Sequence, residues 1–281
     1  MADQGEDTAA TRPYGRRMET TQTIWALGEY HRFAKELMWE LGAELAAASG
    51  IGPGQRVLDV AAGTGNLAIR AAQEGAIVVA CDLESAQFEA GRREARACGV
   101  ELEWVQADAQ AMPFEDGEFD VVTSLAGAIF APDHQAAADE LVRVCRPGGT
   151  IGMVTFTPEG MAGDLFALFG RYAPPPPPGA QPPTLWGAED HVRGLLGDRV
   201  SALELTRRHY VERRPGGAQG FLDFYKETFG PVVATYAALD DDRRRELDRE
   251  ALAFVERWNT GAPDGAAELP VEYLLIVARK A

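Results

Sequence analysis

Two hydrophobic patterns alternate along this chain. From 23 to 48 leucines recur at helical spacing, at Leu37, Leu41 and Leu45, which predicts a helix. Ser49-Gly50 and Gly52-Pro53-Gly54 close it and lead into a short apolar run, Arg56-Val57-Leu58-Asp59-Val60, which predicts a strand. The alternation then repeats. A helix is predicted at 65–74, a strand over 76–81 ending in Asp82, a helix at 84–97 closed by Gly99, and a shorter strand over 101–106 ending at Asp108. A fourth strand over 119–124, a helix at 133–144, a turn at Pro147-Gly148-Gly149 and a fifth strand over 150–156 complete the series. Strands alternating with helices of this length predict an α/β fold, a parallel sheet covered on both faces.

Beyond 157 the pattern changes. A short helix is predicted over 161–169, followed by prolines at 174–178 and 182–183, which predict an extended, stiff loop. Helical spacing returns at 188–196, 219–229 and 231–258, around a strand-like 200–212. The chain closes with VEYLLIVA inside 270–278, a strand too apolar for a sheet edge, which follows the polar stretch NTGAPDGAAE. Pairing with 200–212 would place antiparallel strand geometry at one side of an otherwise parallel sheet.

Composition narrows the partners. The 281 residues are 46% hydrophobic and carry a formal net charge of −16, enough chain for a sizeable core and the wrong sign for a phosphate backbone. The arginines of DDRRRELDRE are interleaved with acids and fit a solvated helix face, so no nucleic acid is expected. Cys81, Cys98 and Cys145 are far apart and form no CxxC, so neither a disulfide framework nor a structural zinc site is expected. No H-E-x-x-H or compact His/Asp cluster occurs, so no metal is expected. The opening MADQGEDTAATR lacks the apolar core of a signal peptide, and no run approaches the roughly 18–20 apolar residues of a membrane span. A cytoplasmic protein without membrane contact is expected, with a homodimer left open.

The stretch 56–66, RVLDVAAGTGN, carries the chemistry: a strand, a tight glycine turn and a helix that starts at the turn. Gly63 and Gly65 let the backbone turn sharply and approach a ligand, and the helix start offers free N–H groups. A nucleotide-like cofactor is implied. Gly63-Thr64-Gly65-Asn66-Leu67-Ala68 fits the nicotinamide dinucleotide fingerprint, with Asp82 placed to hold ribose hydroxyls. Asp59 argues against that choice, because a carboxylate inside the strand end would repel two phosphates and would suit a cationic amino group. Asp108 after the third strand could accept from an exocyclic adenine amine, and a helical stretch precedes the first strand.

VLDVAAGTGNLA (57–68), ACDLE (80–84), ADAQAMPFEDGEFDVV (107–122) and RVCRPGG (143–149) together resemble the class I S-adenosylmethionine-dependent methyltransferases. The likeness is to the small-molecule group related to the ubiquinone/menaquinone methyltransferases, strong over 22–157 and looser beyond. It implies a Rossmann-like sheet, parallel but for one antiparallel strand near the C-terminus, with helices on both faces, an N-terminal helical lid and helical additions after strand five. The implied divisions are a mobile tail (1–20), the lid (21–50), an S-adenosylmethionine-binding core (51–157), acceptor-side loops, helices and strand six (158–265), and a final core strand (266–281).

By the same resemblance Asp59, Gly63 and Gly65 line the methionine half of the cofactor, and Ala61 and Asn66 of the same motif are cofactor-binding. Asp82 binds both ribose hydroxyls, Leu83 packs on adenine, Asp108 faces its amine with Ala109 beside it, and Ser124 and Leu125 pass near the sulfonium. Ala61-Ala62 departs from the family's usual cysteine- or glycine-containing pair, though both residues are small. Trp25 and Tyr30 of the lid are candidate contacts to cofactor or substrate. His31 and His134 are the histidines best placed for acid–base work.

Methyl transfer is an in-line displacement with an activated leaving group, so alignment and exclusion of water matter more than a catalytic triad. The acceptor region after strand five, with Phe156, Phe166, Trp186, Phe221, Tyr225 and Phe229 among its aromatics, suits an apolar, planar small molecule. Oxygen is the favoured acceptor atom, with carbon and nitrogen as competitors. The rivals are a protein of the same fold that binds the cofactor without transferring a methyl group, as an accessory module or cyclase, and a nicotinamide oxidoreductase.

Overall fold

The computed structural model describes residues 23–262 and 265–281; the proposed tail, 1–20, lies outside them. β1 (Arg56–Val60) is buried at every residue but its first, and β4 (Phe119–Leu125) is buried over most of its length. Both are covered on two faces, which is why their apolar residues come in adjacent runs, Val57-Leu58 and Val121-Val122, rather than in strict alternation. With β2 (Ile77–Asp82), β3 (Glu103–Gln106), β5 (Cys145–Phe156), β6 (Val200–Arg214) and β7 (Ala267–Lys280) they form one sheet in the order β3-β2-β1-β4-β5-β7-β6. Pairing is parallel from β3 through β5, and β7 runs antiparallel to both β5 and β6. β7 alone opposes the common direction, and it lies inside the sheet, as its apolar sequence requires.

Helices α3 (Asn66–Gln73), α4 (Phe88–Ala97) and α5 (His134–Val144) are the crossovers of the parallel half. Ala68 and Ala71 of α3 pack on Val57, Val78, Ala80 and Val121, while Ala138 and Leu141 of α5 join Leu58, Val79 and Val122 in the main core. Alternate strand residues thus serve opposite layers. Strand order reverses between β1 and β4, and a crevice opens there beyond the carboxyl ends of the strands.

Several boundaries differ from those predicted. The segment predicted as one helix is a short 3-10 turn (Ile24–Ala26), then α1 (Tyr30–Leu37) and α2 (Trp39–Ala48). Gly28 explains the first break: its φ is +73°, and a Cβ there would lie 2.9 Å from the Glu227 carbonyl oxygen. The stretch 231–258 is likewise two helices, α9 (Gly230–Ala238) and α10 (Asp241–Trp258), because the Asp240 side chain accepts from the Arg243 N–H at 2.9 Å and starts a new helix. β5 begins at Cys145, not at 150. Cys145 pairs with Phe119, the register slips, and pairing resumes at Thr150 opposite Val121, so Pro147-Gly148-Gly149 forms an irregularity within the strand.

The additions after β5 build a second core. α6 (Met161–Gly170), α8 (Gly217–Thr228) and α10 pack with the start of β7 around Phe221, Phe224, Tyr225 and Phe254, and Trp25 and Phe33 lean against them. α7 (Glu189–Leu196) packs instead in the main core through Val192, Leu195 and Leu196. The prolines at 174–178 form no regular element, whereas Pro183 starts a 3-10 helix (Pro183–Gly187). The stretch is tied to the loop after β4 by the Gln181 N–H donating to the Pro132 carbonyl at 3.0 Å. No helix among the described residues is long and apolar enough to cross a membrane.

Candidate functional site

The turn after β1 rises into the crevice. Ala61 and Gly63 both take positive φ, +54° and +56°, and Gly65 at +81° leads into α3. For an alanine that conformation is strained by about 1–2 kcal/mol. Its surroundings hold it there: a Cβ on Gly127 would lie 2.3 Å from the Ala61 carbonyl oxygen, so the turns after β1 and β4 touch backbone to backbone. On the other side the Tyr30 ring lies over Gly63, where a Cβ would approach it to 2.8 Å. Gly63 and Gly127 are therefore glycines because other groups occupy the space a side chain would need.

A cavity of about 260 Å³ opens against this turn, walled by Trp25, Tyr30, Ala61, Gly63, Asp82, Leu83, Asp108 and Ala109 among others. Asp82 ends β2 with its carboxylate accepting from the N–H groups of Gly63 at 2.7 Å and Glu84 at 2.8 Å. One backbone donor goes to each oxygen, leaving acceptor capacity on both towards the cavity. Burial raises its pKa above the usual carboxylate value, against the lowering effect of those donors. Asp108 is oriented by Gln110, whose N–H donates to it at 2.9 Å.

Asp59 lies below the turn, 1% exposed. One oxygen accepts from the Ala68 N–H at 3.1 Å; the other is buried without a partner among the described residues. It lines a recess of about 20 Å³ shared with Tyr30, Ala61, Asn66 and Leu125. Burial pushes its pKa up to about 8, with the nearby Asp82 adding to the rise. Burial, Asp82 and Asp59 likewise raise the pKa of the Tyr30 phenol. Asn66 donates to the Ala34 carbonyl at 2.7 Å and so holds α1 against α3.

The remaining candidates lie elsewhere. Ser124 is fully buried: its hydroxyl donates to the Val60 carbonyl at 2.8 Å and accepts from the Ala128 N–H at 2.9 Å, binding strand ends together off the cavity walls. Gly65 faces Trp104, which a Cβ would approach to 2.8 Å. His31 points to Glu94 on α4 at 3.5 Å and lines none of these cavities. His134 is buried beside His191, ring nitrogens 3.0 Å apart, and near Trp186; burial and then His191 push its pKa down to about 4. The structure therefore gives neither histidine the access to the cavity that acid–base work needs.

A second cavity, about 50 Å³, adjoins the first and shares Trp25, Tyr30, Ala126 and Phe130 with it. Its walls are otherwise mostly apolar, including Phe33, Leu125, Phe156, Phe166 and Phe229, but they also hold Tyr210, Glu212 and Tyr225. Glu212 had no signal in the sequence, because RRHYVERR has the composition of an exposed edge strand. Gln87, Gln110 and Gly127 also line the first cavity, and none of the three was singled out in the sequence.

A family profile described as a methyltransferase domain matches residues 57–149. An uncharacterised protein of Mycobacterium tuberculosis is 45% identical over 263 residues, spanning 93% of this chain and 94% of that protein. A demethylmenaquinone methyltransferase of a Mycobacterium species is 38% identical over 142 residues, 50% of this chain and 56% of that enzyme. Among solved structures, a Bacillus halodurans protein provisionally assigned as a methyltransferase superposes with a TM-score of 0.59 at 22% identity, over 85% of this chain and 98% of that one, a likeness of fold.

The residues present suit the cofactor of that family. Asp59 offers an unpartnered buried oxygen to a cationic amino group, Asp82 offers acceptor capacity to ribose hydroxyls, and the bare backbone of Gly63 and Gly127 shapes the cradle between them. Residues 57–149 belong to the methyltransferase domain family, in a chain with the fold of the class I S-adenosylmethionine-dependent methyltransferases.

Proposed function

We propose that the enzyme methylates an apolar, planar small molecule, on oxygen, with the acceptor held in the second cavity. The observation that carries this reading is the second cavity itself: a mostly aromatic recess that meets the cofactor cavity at Trp25, Tyr30, Ala126 and Phe130. Bound S-adenosylmethionine supplies an electrophilic methyl group whose departing thioether keeps the bonding electrons. The chain's own part is placement. Asp59, Asp82 and Asp108 hold and orient the cofactor, with Leu83 and Ala109 against its base and Leu125 beside the junction. The lid excludes water. Trp25 lies 4.5 Å from Phe130 between ring centroids, and Phe33 stacks on Phe229 at 4.8 Å, closing the recess with aromatic surface. The acidic surface and three unpaired cysteines fit work in the cytoplasm.

The test is transfer from S-adenosylmethionine to a panel of phenols, carboxylates and amines, followed by mass spectrometry. Methyl ethers of planar phenols are the expected products. Products confined to amines would refute transfer to oxygen, and products confined to carboxylates would keep oxygen but refute a phenol as the acceptor. Tight S-adenosylhomocysteine binding with no methylated product, even from extracts of the producing cell, would favour the non-transferring rival.

A further inference from the structure

The second cavity has one polar wall. Tyr210 and Glu212 are two residues apart on β6 and so project to the same side of the strand, and Tyr225 of α8 faces them. Glu212 is 2% exposed. One of its oxygens accepts from Arg214 Nε at 2.7 Å, the other from the Tyr225 hydroxyl at 3.0 Å. Arg214 is itself buried. It donates from Nη1 to Glu36 of α1 at 2.7 Å and lies 3.5 Å over the Phe224 ring. Arg214 thus bridges Glu212 and Glu36, while Arg32 also donates to Glu36 at 2.9 Å, so Arg214 is the one guanidinium among the described residues that reaches Glu212. The Tyr210 hydroxyl has no hydrogen-bond partner among the described residues.

Three functional groups of this kind in an aromatic recess exceed what packing requires, because a buried carboxylate is costly unless something needs it. We propose that Glu212 is the acceptor-binding base of this enzyme: it accepts the hydrogen bond of a phenolic or enolic hydroxyl and removes its proton, while the Tyr210 hydroxyl donates to the same oxygen. This rests on the reading of the second cavity as the acceptor site. In the step the acceptor O–H bond breaks, its electron pair stays on the acceptor oxygen for bonding to the methyl carbon, and the proton joins a Glu212 oxygen. The proton leaves to water when the product departs. Burial raises the Glu212 pKa, which makes it a better base than a surface carboxylate; Arg214 and the Tyr225 hydroxyl limit the rise. The groups facing it are Arg214 and Tyr210 from β6, Tyr225 from α8 and Glu36 from α1. The substrate class that follows is an apolar ring system with one ionisable hydroxyl.

The experiment measures binding, with S-adenosylhomocysteine saturating, of 2-naphthol and of naphthalene by tryptophan fluorescence across pH. The wild type is expected to prefer 2-naphthol by about tenfold or more, the range of a hydrogen bond to a charged group. That preference should fade as falling pH protonates Glu212. Glu212→Gln should abolish it while naphthalene and S-adenosylhomocysteine still bind. Tyr225→Phe leaves the Glu212–Arg214 pair intact and removes a hydrogen bond that lowers the Glu212 pKa, so the pH at which the preference fades should rise. A preference that survives Glu212→Gln overturns the proposal. If that variant does not fold, an unmoved threshold in Tyr225→Phe overturns it. Failure of the wild type to bind either probe overturns the acceptor-site reading beneath it, and the proposal with it.

Discussion

Asp59 shows most directly what the site asks of single residues. Its unfolded value is an ordinary 3.8, and burial in the native state raises it to about 8. Between those values the folded chain holds a proton that the unfolded chain has released, so stability falls as pH rises through the window and levels off above it. The slope is at most about 1.4 kcal/mol per pH unit. Urea denaturation of the ligand-free protein from pH 4 to 8 should show this decline, and Asp59→Asn should flatten it; the same slope in both would place the titration elsewhere. A cationic amino group beside Asp59 favours its ionised form, so S-adenosylhomocysteine should release protons on binding near pH 7. Calorimetry in buffers of different ionisation enthalpy reads that release. Gly127 is the second such residue: Gly127→Ala would bring a Cβ to 2.3 Å from the Ala61 oxygen, backbone against backbone, with an expected cost of about 1–3 kcal/mol and weakened cofactor binding. Wild-type stability in that variant would mean the two turns do not hold each other.

Among the elements, the lid depends on a few polar ties. The Thr23 N–H and hydroxyl both donate to Glu84 at 3.0 Å, Gln87 donates to the Trp25 carbonyl at 2.6 Å, and Asn66 holds Ala34. Glu84→Ala removes the first of these without touching the cavity wall. Amide exchange over 24–33 should accelerate and S-adenosylhomocysteine affinity should fall by about tenfold or more, because both charge-assisted hydrogen bonds from Thr23 are lost together. Exchange at the wild-type rate would show that aromatic packing alone keeps the lid closed. The order of elements was legible because β1, β2 and β4 are apolar runs separated by helical spacing, and the antiparallel place of β7 followed from a strand too apolar for an edge. The breaks at Gly28 and Asp240 were not, since each depends on a local turn within a continuous helical pattern. Asp59, Asp82 and Asp108 were legible at the ends of apolar strands. Ser124 and His134 looked equally well placed in the chain, yet tertiary packing turned one to the Val60 carbonyl and the other to His191. Glu212 was hidden because strand alternation does not tell which side of an edge strand a later helix will cover.

At the scale of the molecule, the chemistry sits on a seam. Leu37, Phe130, Phe156 and Tyr210 pack against both the sheet core and the second core built by α6, α8 and α10. The first cavity lies on the sheet side of that seam and the second borders the added helices, which is why the β1 turn identifies the donor and is silent on the acceptor. Ligand that bridges the seam should stabilise both cores as one unit. At a hundredfold excess over its dissociation constant, S-adenosylhomocysteine should add about 2.7 kcal/mol to unfolding, with sheet and helical probes melting together. The central claim is that the crevice above Asp59 and Asp82 holds S-adenosylmethionine and not a dinucleotide. Calorimetric titration of the wild type and of Asp82→Ala with S-adenosylhomocysteine and with NAD tests it most directly. The account predicts one S-adenosylhomocysteine per chain, much weaker binding in Asp82→Ala, and no heat from NAD; binding of NAD, or S-adenosylhomocysteine affinity unchanged by Asp82→Ala, would contradict it.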